Sequence, residues 1–398
     1  MIHARPIDDL LLRLQPFHIP EHIWNGAEDR VLKVRRATKS ELRGVEIPAP
    51  IQDLLQMAGF MGMAQISYFP VDNHLISALV ERWRLETHTF HMPFGECTIT
   101  LEDVAMLLGL KISGAPIIGY ATMDWGALVQ RLLGMTPPES MLAGGRLRMT
   151  WIDRHFSNVF EHIHSQEQLE RYTRAFILRI IGGYLLTDHS SSYLSLRYLS
   201  FLKDLDVCGQ MSWGSCVLAN MYRELRVCTN YDRKEIGDLG ILLQLWAWYR
   251  FPFLAPRHPP LSTFHVPLGA RWNYALHKPR EETKDKIVKY REYFDRLKRE
   301  DFVWQPYLEL LPTLPLYCFE DSQVWRDWSR MHVQFVQEWQ SRLHRVWTQP
   351  ACDTPHLSNS SEYMVWYRKH TRRWISPSSA KEGFVVSTNL WMYLNNYL

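Results

Sequence analysis

The chain has 398 residues, 46% hydrophobic and 22% charged, with a formal net charge of +3. This balance excludes a disordered polyelectrolyte, and the length holds one large domain or two packed lobes. The charge is too mild to demand a polyanionic partner. Its excess is uneven: from Ser341 onward seven Lys/Arg stand against three acids, so the rest of the chain is close to neutral.

Sixteen Trp, seventeen Phe and eighteen Tyr supply large apolar areas for a core, with some left for a contact surface. The longest apolar runs are Ala175–Leu186, interrupted by Arg179, and Ile236–Leu254, interrupted by Asp238, Gln244 and Arg250. Neither offers the roughly 20 clean residues of a membrane helix, so no membrane partner is expected. Six cysteines form no CxxC pair, and the opening residues carry His3, Arg5, Asp8 and Asp9. They do not read as a secretory leader, and the expectation is a reducing, intracellular setting.

In chain order, Asp72 is placed to cap a helix with Leu75, Ile76, Leu79, Val80 and Trp83 on one face. The period then changes to two: residues 89–94 and 96–99 alternate around Gly95 and predict a short β-hairpin near residues 88–99. Thr100 and Asp103 form a capping-box pattern for a helix over Leu101–Leu108 that stops at Gly109. Further helices are predicted over 124–133, 168–187, 194–205, 212–227 and 239–249. The stretch 168–187 is apolar nearly all round and expected to be central. Five prolines make 251–267 a crossover or lobe boundary. Beyond it, 281–299 reads as an amphipathic helix, and 323–347 as the longest helix, with a tryptophan-bearing face. The predicted fold class is mainly α, a large helical domain with one short hairpin.

Several stretches resemble one family. Leu75–Glu86 running into Thr87–Leu110 is similar to the plant mobile domain, the module of maintenance-of-meristems proteins and of many plant transposons. Leu196–Leu199 with Leu202–Leu205, Ser212–Ser215, Ala219–Leu225, and Leu242–Trp248 with Arg250–Pro252 look like its following helices. Tyr290–Asp295, Phe302–Tyr307, and Glu362–Tyr367 with Thr371–Arg373 resemble its later stretches. The resemblance covers about residues 51–375, with an N-terminal segment (1–50) and a C-terminal tail (376–398) less well matched. It implies a nuclear role in meristem maintenance, genome stability and silencing of genes or transposons. It also implies association with DNA or chromatin and with other mobile-domain proteins.

The residues themselves offer one candidate nucleic-acid surface. At about 100° per residue, Arg368, Lys369, Arg372 and Arg373 share a helix face, and Tyr363, Trp366, Tyr367, His370 and Trp374 share the other. Arg342 and Arg345 would extend the basic face. A solvated outer face is the bland alternative. A second cluster, Arg30, Lys33, Arg35, Arg36, Lys39 and Arg43, is balanced by Glu28, Asp29 and Glu41 and reads first as a plain surface helix.

His88, His91, His155, His162 and His164 lack the Cys or acid that would complete a metal set. The "aminotransferase-like" label attached to the family would need a Schiff-base lysine and a phosphate cup on alternating strands and helices; Gly182-Gly183 lies instead in a helical pattern. Relatives fused to a metallophosphatase would need Asp/His/Asn clusters at strand ends, which this chain does not spell out. No cofactor is expected and no enzymatic activity. Two alternatives stand beside the DNA reading: a protein–protein scaffold with an aromatic docking surface, and a transposase-derived nuclease using acids such as Asp103, Asp153 and Asp188.

Overall fold

The structure, a computed structural model, describes residues 12–34, 47–66, 70–118, 123–156, 165–187, 192–237, 240–257, 267–274, 285–308, 362–371 and 375. It divides into two units, residues 1–304 with 370–398, and residues 305–369. The first runs α1 (Ile19–Trp24), β1 (Lys33–Val34), α2 (Ala49–Met57), α3 (Met61–Gln65), α4 (Asn73–Val80), β2 (Trp83–Arg84), β3 (Thr89–Met92), β4 (Gly95–Cys97), α5 (Leu101–Leu108) and α6 (Trp125–Leu133). It continues with β5 (Arg146–Arg148), α7 (Met149–Phe156), α8 (Gln166–Ile180), β6 (Tyr193–Ser195), α9 (Leu205–Gly209), α10 (Trp213–Cys228), β7 (Glu235–Ile236), α11 (Gly240–Arg250) and α12 (Lys286–Arg296). Helix α13 (Glu362–His370) lies in the second unit except for its last residue, His370. The fold is mainly α. Among the described residues the strands form three small ladders: β1–β7 parallel, β2–β3–β4 antiparallel and β5–β6 antiparallel.

Local chemistry explains the boundaries. Asp72 caps α4 by accepting from the backbone N–H groups of His74 and Leu75, at 3.1 and 3.3 Å. The helix ends at Val80, earlier than the periodicity predicts, and Trp83 leaves it to pair with Phe90 across β2 and β3. The two rings sit 4.9 Å apart and both are fully buried, so a cross-strand aromatic pair prevails over one more helical turn. The capping box at Thr100 and Asp103 is formed, and Gly109 ends α5 in the left-handed region at φ +67°, where glycine carries no Cβ penalty.

Helix α8 continues into a π-helical turn, Ile181–Leu185. A Cβ on Gly182 would lie 2.5 Å from the Leu194 Cβ, so glycine lets β6 lie directly against this turn. The single helix expected over 194–205 is not present. Tyr193–Ser195 forms β6, and Leu196–Leu202 follows as a 3-10 helix. Leu196, Leu199 and Leu202 are all fully buried at a spacing of three, which matches the three-residue turn of a 3-10 helix better than an α-helix. Of the 281–299 stretch, Lys286–Arg296 is helical; residues 281–284 lie outside the described residues, as does the whole helix expected over 323–347.

All eleven residues of α11 are buried. Trp246 packs 5.1 Å from Phe90 and 5.9 Å from Phe251, and Phe251 lies 5.2 Å from Phe302. The proline-rich stretch after α11 thus begins inside the core, as its apolar content suggests.

Candidate nucleic-acid interface

Helix α13 carries the first two cations of the expected basic face. Lys369 is exposed and Arg368 half-buried, while Met364 and Tyr367 form the buried side. Trp366 is 37% exposed and Val365 60%, so the outward face mixes Lys369 with a tryptophan and a valine. This differs from the sequence expectation, which turned Trp366 inward; burial of Met364 and Tyr367 sets the helix's rotation instead. Tyr363 stacks 5.8 Å from Tyr367. Arg342, Arg345, Arg372, Arg373 and Trp374 lie outside the described residues.

The second basic cluster is not a surface helix where it is described. Lys33 belongs to β1 and pairs with Glu235 in parallel register. Arg30 is 8% exposed, and its guanidinium donates to the carbonyls of Cys228, Asn230 and Arg233 at 3.0, 2.6 and 2.8 Å. It closes the C-terminal end of α10, where unpaired carbonyls and the helix dipole both favour a cation. Arg35, Arg36, Lys39 and Arg43 lie outside the described residues.

Asp103, Asp153, His91 and His155, singled out from the sequence, have structural partners. Asp103 is fully buried and accepts from the Arg250 guanidinium at 2.7 Å. Asp153 sits 2.9 Å from Arg179. Each carboxylate is held separately, and Asp188 lies outside the described residues. His91 is buried between Thr87 and Glu96, at 3.0 and 3.2 Å, and burial lowers its pKa. His155 contacts the Trp151 carbonyl at 2.7 Å; His162 and His164 lie outside the described residues. Among the described residues no group of three His, Cys, Asp or Glu side chains is placed to hold a metal. Gly182 and Gly183 form the π turn, and Gly237 precedes α11, its N–H donating to Glu224 at 3.2 Å.

Sequence reasoning missed a set of buried ion pairs that joins distant segments. Arg82, at the end of α4, pairs with Asp295 of α12, and both are essentially inaccessible. Arg291 of α12 grips Glu81 through two parallel hydrogen bonds of 2.7 and 2.8 Å and reaches Asp29 at 2.5 Å. Burial alone would depress the Arg291 guanidinium, but Glu81 and Asp29 hold it above its usual range. Asp72 accepts from the Tyr290 hydroxyl at 2.7 Å and lies 2.6 Å from the Lys286 ammonium. Burial raises its pKa, and these two donors more than reverse that. The only sequence-level sign was an arginine or acid inside an apolar stretch, which does not name its partner.

Arginines consumed internally by carboxylates, an outward helix bearing a cation beside a tryptophan, and a mainly α frame define a helical domain held together by buried charge pairs. The plant mobile domain profile matches residues 59–349, and the chain belongs to that family. Among its relatives in Arabidopsis thaliana, "Protein MAIN-LIKE 2" is 35% identical over 76% of this chain, and "Protein MAINTENANCE OF MERISTEMS" 30% identical over 82%. "Serine/threonine-protein phosphatase 7 long form homolog" is 32% identical over 94% of this chain. The chain spans 45%, 66% and 32% of these three proteins respectively. No solved structure matches it.

Proposed function

We propose that this chain is a non-enzymatic nuclear protein that associates with DNA or chromatin, alone or with other mobile-domain proteins. Its role on this reading lies in meristem maintenance, genome stability and the silencing of genes and transposable elements. The observation that carries the reading is family membership together with a relative whose name refers to maintenance of meristems. The phosphatase in one relative's name belongs to a protein of which this chain covers 32%, and that activity is not transferred. The pairing of Asp103 and Asp153 with separate arginines weighs against the nuclease alternative.

The test is binding of the purified chain to duplex DNA across a salt series. Charge reversal at Arg368, Arg372 and Arg373 is expected to weaken binding and flatten its salt dependence while far-UV circular dichroism stays unchanged. Unaltered binding at matched salt removes the closing helix from the interface. The scaffold alternative draws on one observation: Phe253 and Tyr293, both 52% exposed, lie 6.3 Å apart on the first unit. It is favoured if the purified chain retains no DNA but a F253A/Y293A variant loses a co-purifying mobile-domain protein.

A further inference from the structure

The structure assigns Ser200 as a phosphorylation site, modified by a protein kinase that reads Arg197 three residues before it, with Arg197 and Lys203 holding the phosphate once it is attached. The inference does not depend on the DNA reading.

The 3-10 helix over Leu196–Leu202 sorts its residues into three rows, because three residues make a turn and side chains three apart eclipse one another. Leu196, Leu199 and Leu202 form the buried row. Tyr198 and Phe201 form a half-buried row beside it. The outward row holds Arg197 and Ser200, and Lys203 continues it at the helix's C-terminal boundary. Both cations are exposed and the serine between them is half-buried. At a rise of about 2.0 Å per residue, the hydroxyl has a cation about 6 Å to either side of it along the axis. Long arginine and lysine side chains span that distance, and both carry only donors.

Net charge separates an attached phosphate from a free one. Residues 196–206 carry Arg197 and Lys203 against Asp204 and Asp206, which sum to zero. The row therefore has no attraction for a free polyanion. Asp204 directs Oδ1 to the backbone N–H groups of Asp206 and Val207, at 3.0 Å each, where it starts α9. A phosphate on Ser200 is kept within reach of both cations by its own covalent bond, so effective concentration replaces long-range attraction. It brings a charge of about −1.5 to −2 and strong acceptor oxygens. A helix C-terminus ordinarily repels such a group. Here the Leu202 and Lys203 carbonyls are already taken by the Arg174 guanidinium, at 2.8 and 3.2 Å.

In the unmodified chain the Ser200 hydroxyl donates to the Arg197 carbonyl at 2.8 Å, a bond that modification gives up. The 3-10 run is seven residues long, where about three or four is usual, and its hydrogen-bond geometry is poorer than that of an α-helix. Local opening of its last turn presents the serine to a kinase. Ser200 Oγ then attacks the γ-phosphorus of a nucleoside triphosphate. The Oγ–P bond forms, the bond from that phosphorus to the bridging oxygen breaks, and a nucleoside diphosphate leaves. The hydroxyl proton passes to the kinase's general base.

The experiment incubates the full chain with ATP and a calmodulin-dependent protein kinase that selects arginine three positions before its serine. Wild type, S200A, R197Q, K203Q and K203R are compared by fragment mass spectrometry and, once phosphorylated, by phosphorus NMR titration. Phosphate is expected on Ser200 in wild type and absent there in S200A. Incorporation in R197Q should be roughly tenfold slower, as loss of one charge-assisted contact with the kinase implies. The phosphoserine should titrate below its ordinary value of about 6 in wild type and K203R, and rise toward it in K203Q. Phosphorylation of a peptide covering residues 194–204 without modification of the folded chain overturns the site. Incorporation into R197Q at the wild-type rate overturns the reading of Arg197. A titration midpoint in the folded wild type no lower than in the phosphorylated peptide overturns the role of the cation row, whether or not K203Q folds.

Discussion

Asp295 shows how burial changes what one side chain is worth. It is 1% exposed, pairs with Arg82, and its Oδ1 also lies 3.4 Å from the Ile375 backbone N–H. Asp295→Asn would leave the Arg82 guanidinium buried without its counter-charge. The expected cost is about 3–5 kcal/mol, read as a drop in unfolding free energy by urea denaturation. The Arg171–Glu167 pair in α8 provides the contrast: its carboxylate is 70% exposed, and Glu167→Gln should cost no more than about 0.5 kcal/mol. Both arginines look alike in the sequence. What separates them is the dielectric around each, which depends on which segments fold over them.

The same logic governs how elements are tied together. The segment containing α1 is held to the turn after β2 through Glu86, which accepts from the Leu14 backbone N–H at 2.9 Å and lies 3.1 Å from His18 Nε2. Burial pushes the Glu86 carboxyl up, but His18 and the backbone donors outweigh it and bring its pKa down from 4.5 to about 2. A carboxylate with a depressed folded-state pKa stabilises fully above its unfolded value. That stability fades as pH falls from about 4.5 toward 2. Limited proteolysis across this window should therefore find the N-terminal segment progressively cleaved in wild type, whereas Glu86→Gln should be equally susceptible at pH 6 and pH 3. Wild-type susceptibility that ignores pH would rule the tether out. At this scale the sequence was informative about caps and breaks: Asp72 and Thr100 cap their helices and Gly109 ends α5 as expected. It was poor on 194–205, because a two-residue alternation followed by a three-residue spacing of leucines averages to something close to a helical period.

Across the whole molecule, internal and external charges should answer salt differently. The pairs Arg82–Asp295, Arg250–Asp103 and Arg291–Glu81 are buried and little screened, while Arg146, Arg148 and Lys369 face solvent. Raising salt from about 50 to 200 mM is expected to leave the melting temperature within about 2 °C. Over the same range two phosphate contacts alone would weaken DNA binding roughly tenfold. Parallel melting and binding series would check this, and a melting temperature that falls with binding would show that the buried pairs are reached by solvent.

By itself the sequence determined that the chain folds, that helices dominate, where the hairpin and its capping box lie, and which family's motifs are present. Periodicity and capping chemistry are properties of neighbours within about a dozen residues, and the family's motifs are read one after another along the chain. Tertiary structure alone decided which cations are spent inside and which face outward. Arg30 reads as part of a basic cluster yet caps α10 about 200 residues away, and Arg146 and Arg148 flank one ring only because Tyr193 lies across from them. Charge is visible in a sequence. Solvent exposure and counter-charge, which decide what a charge does, are set by contacts between segments far apart along the chain.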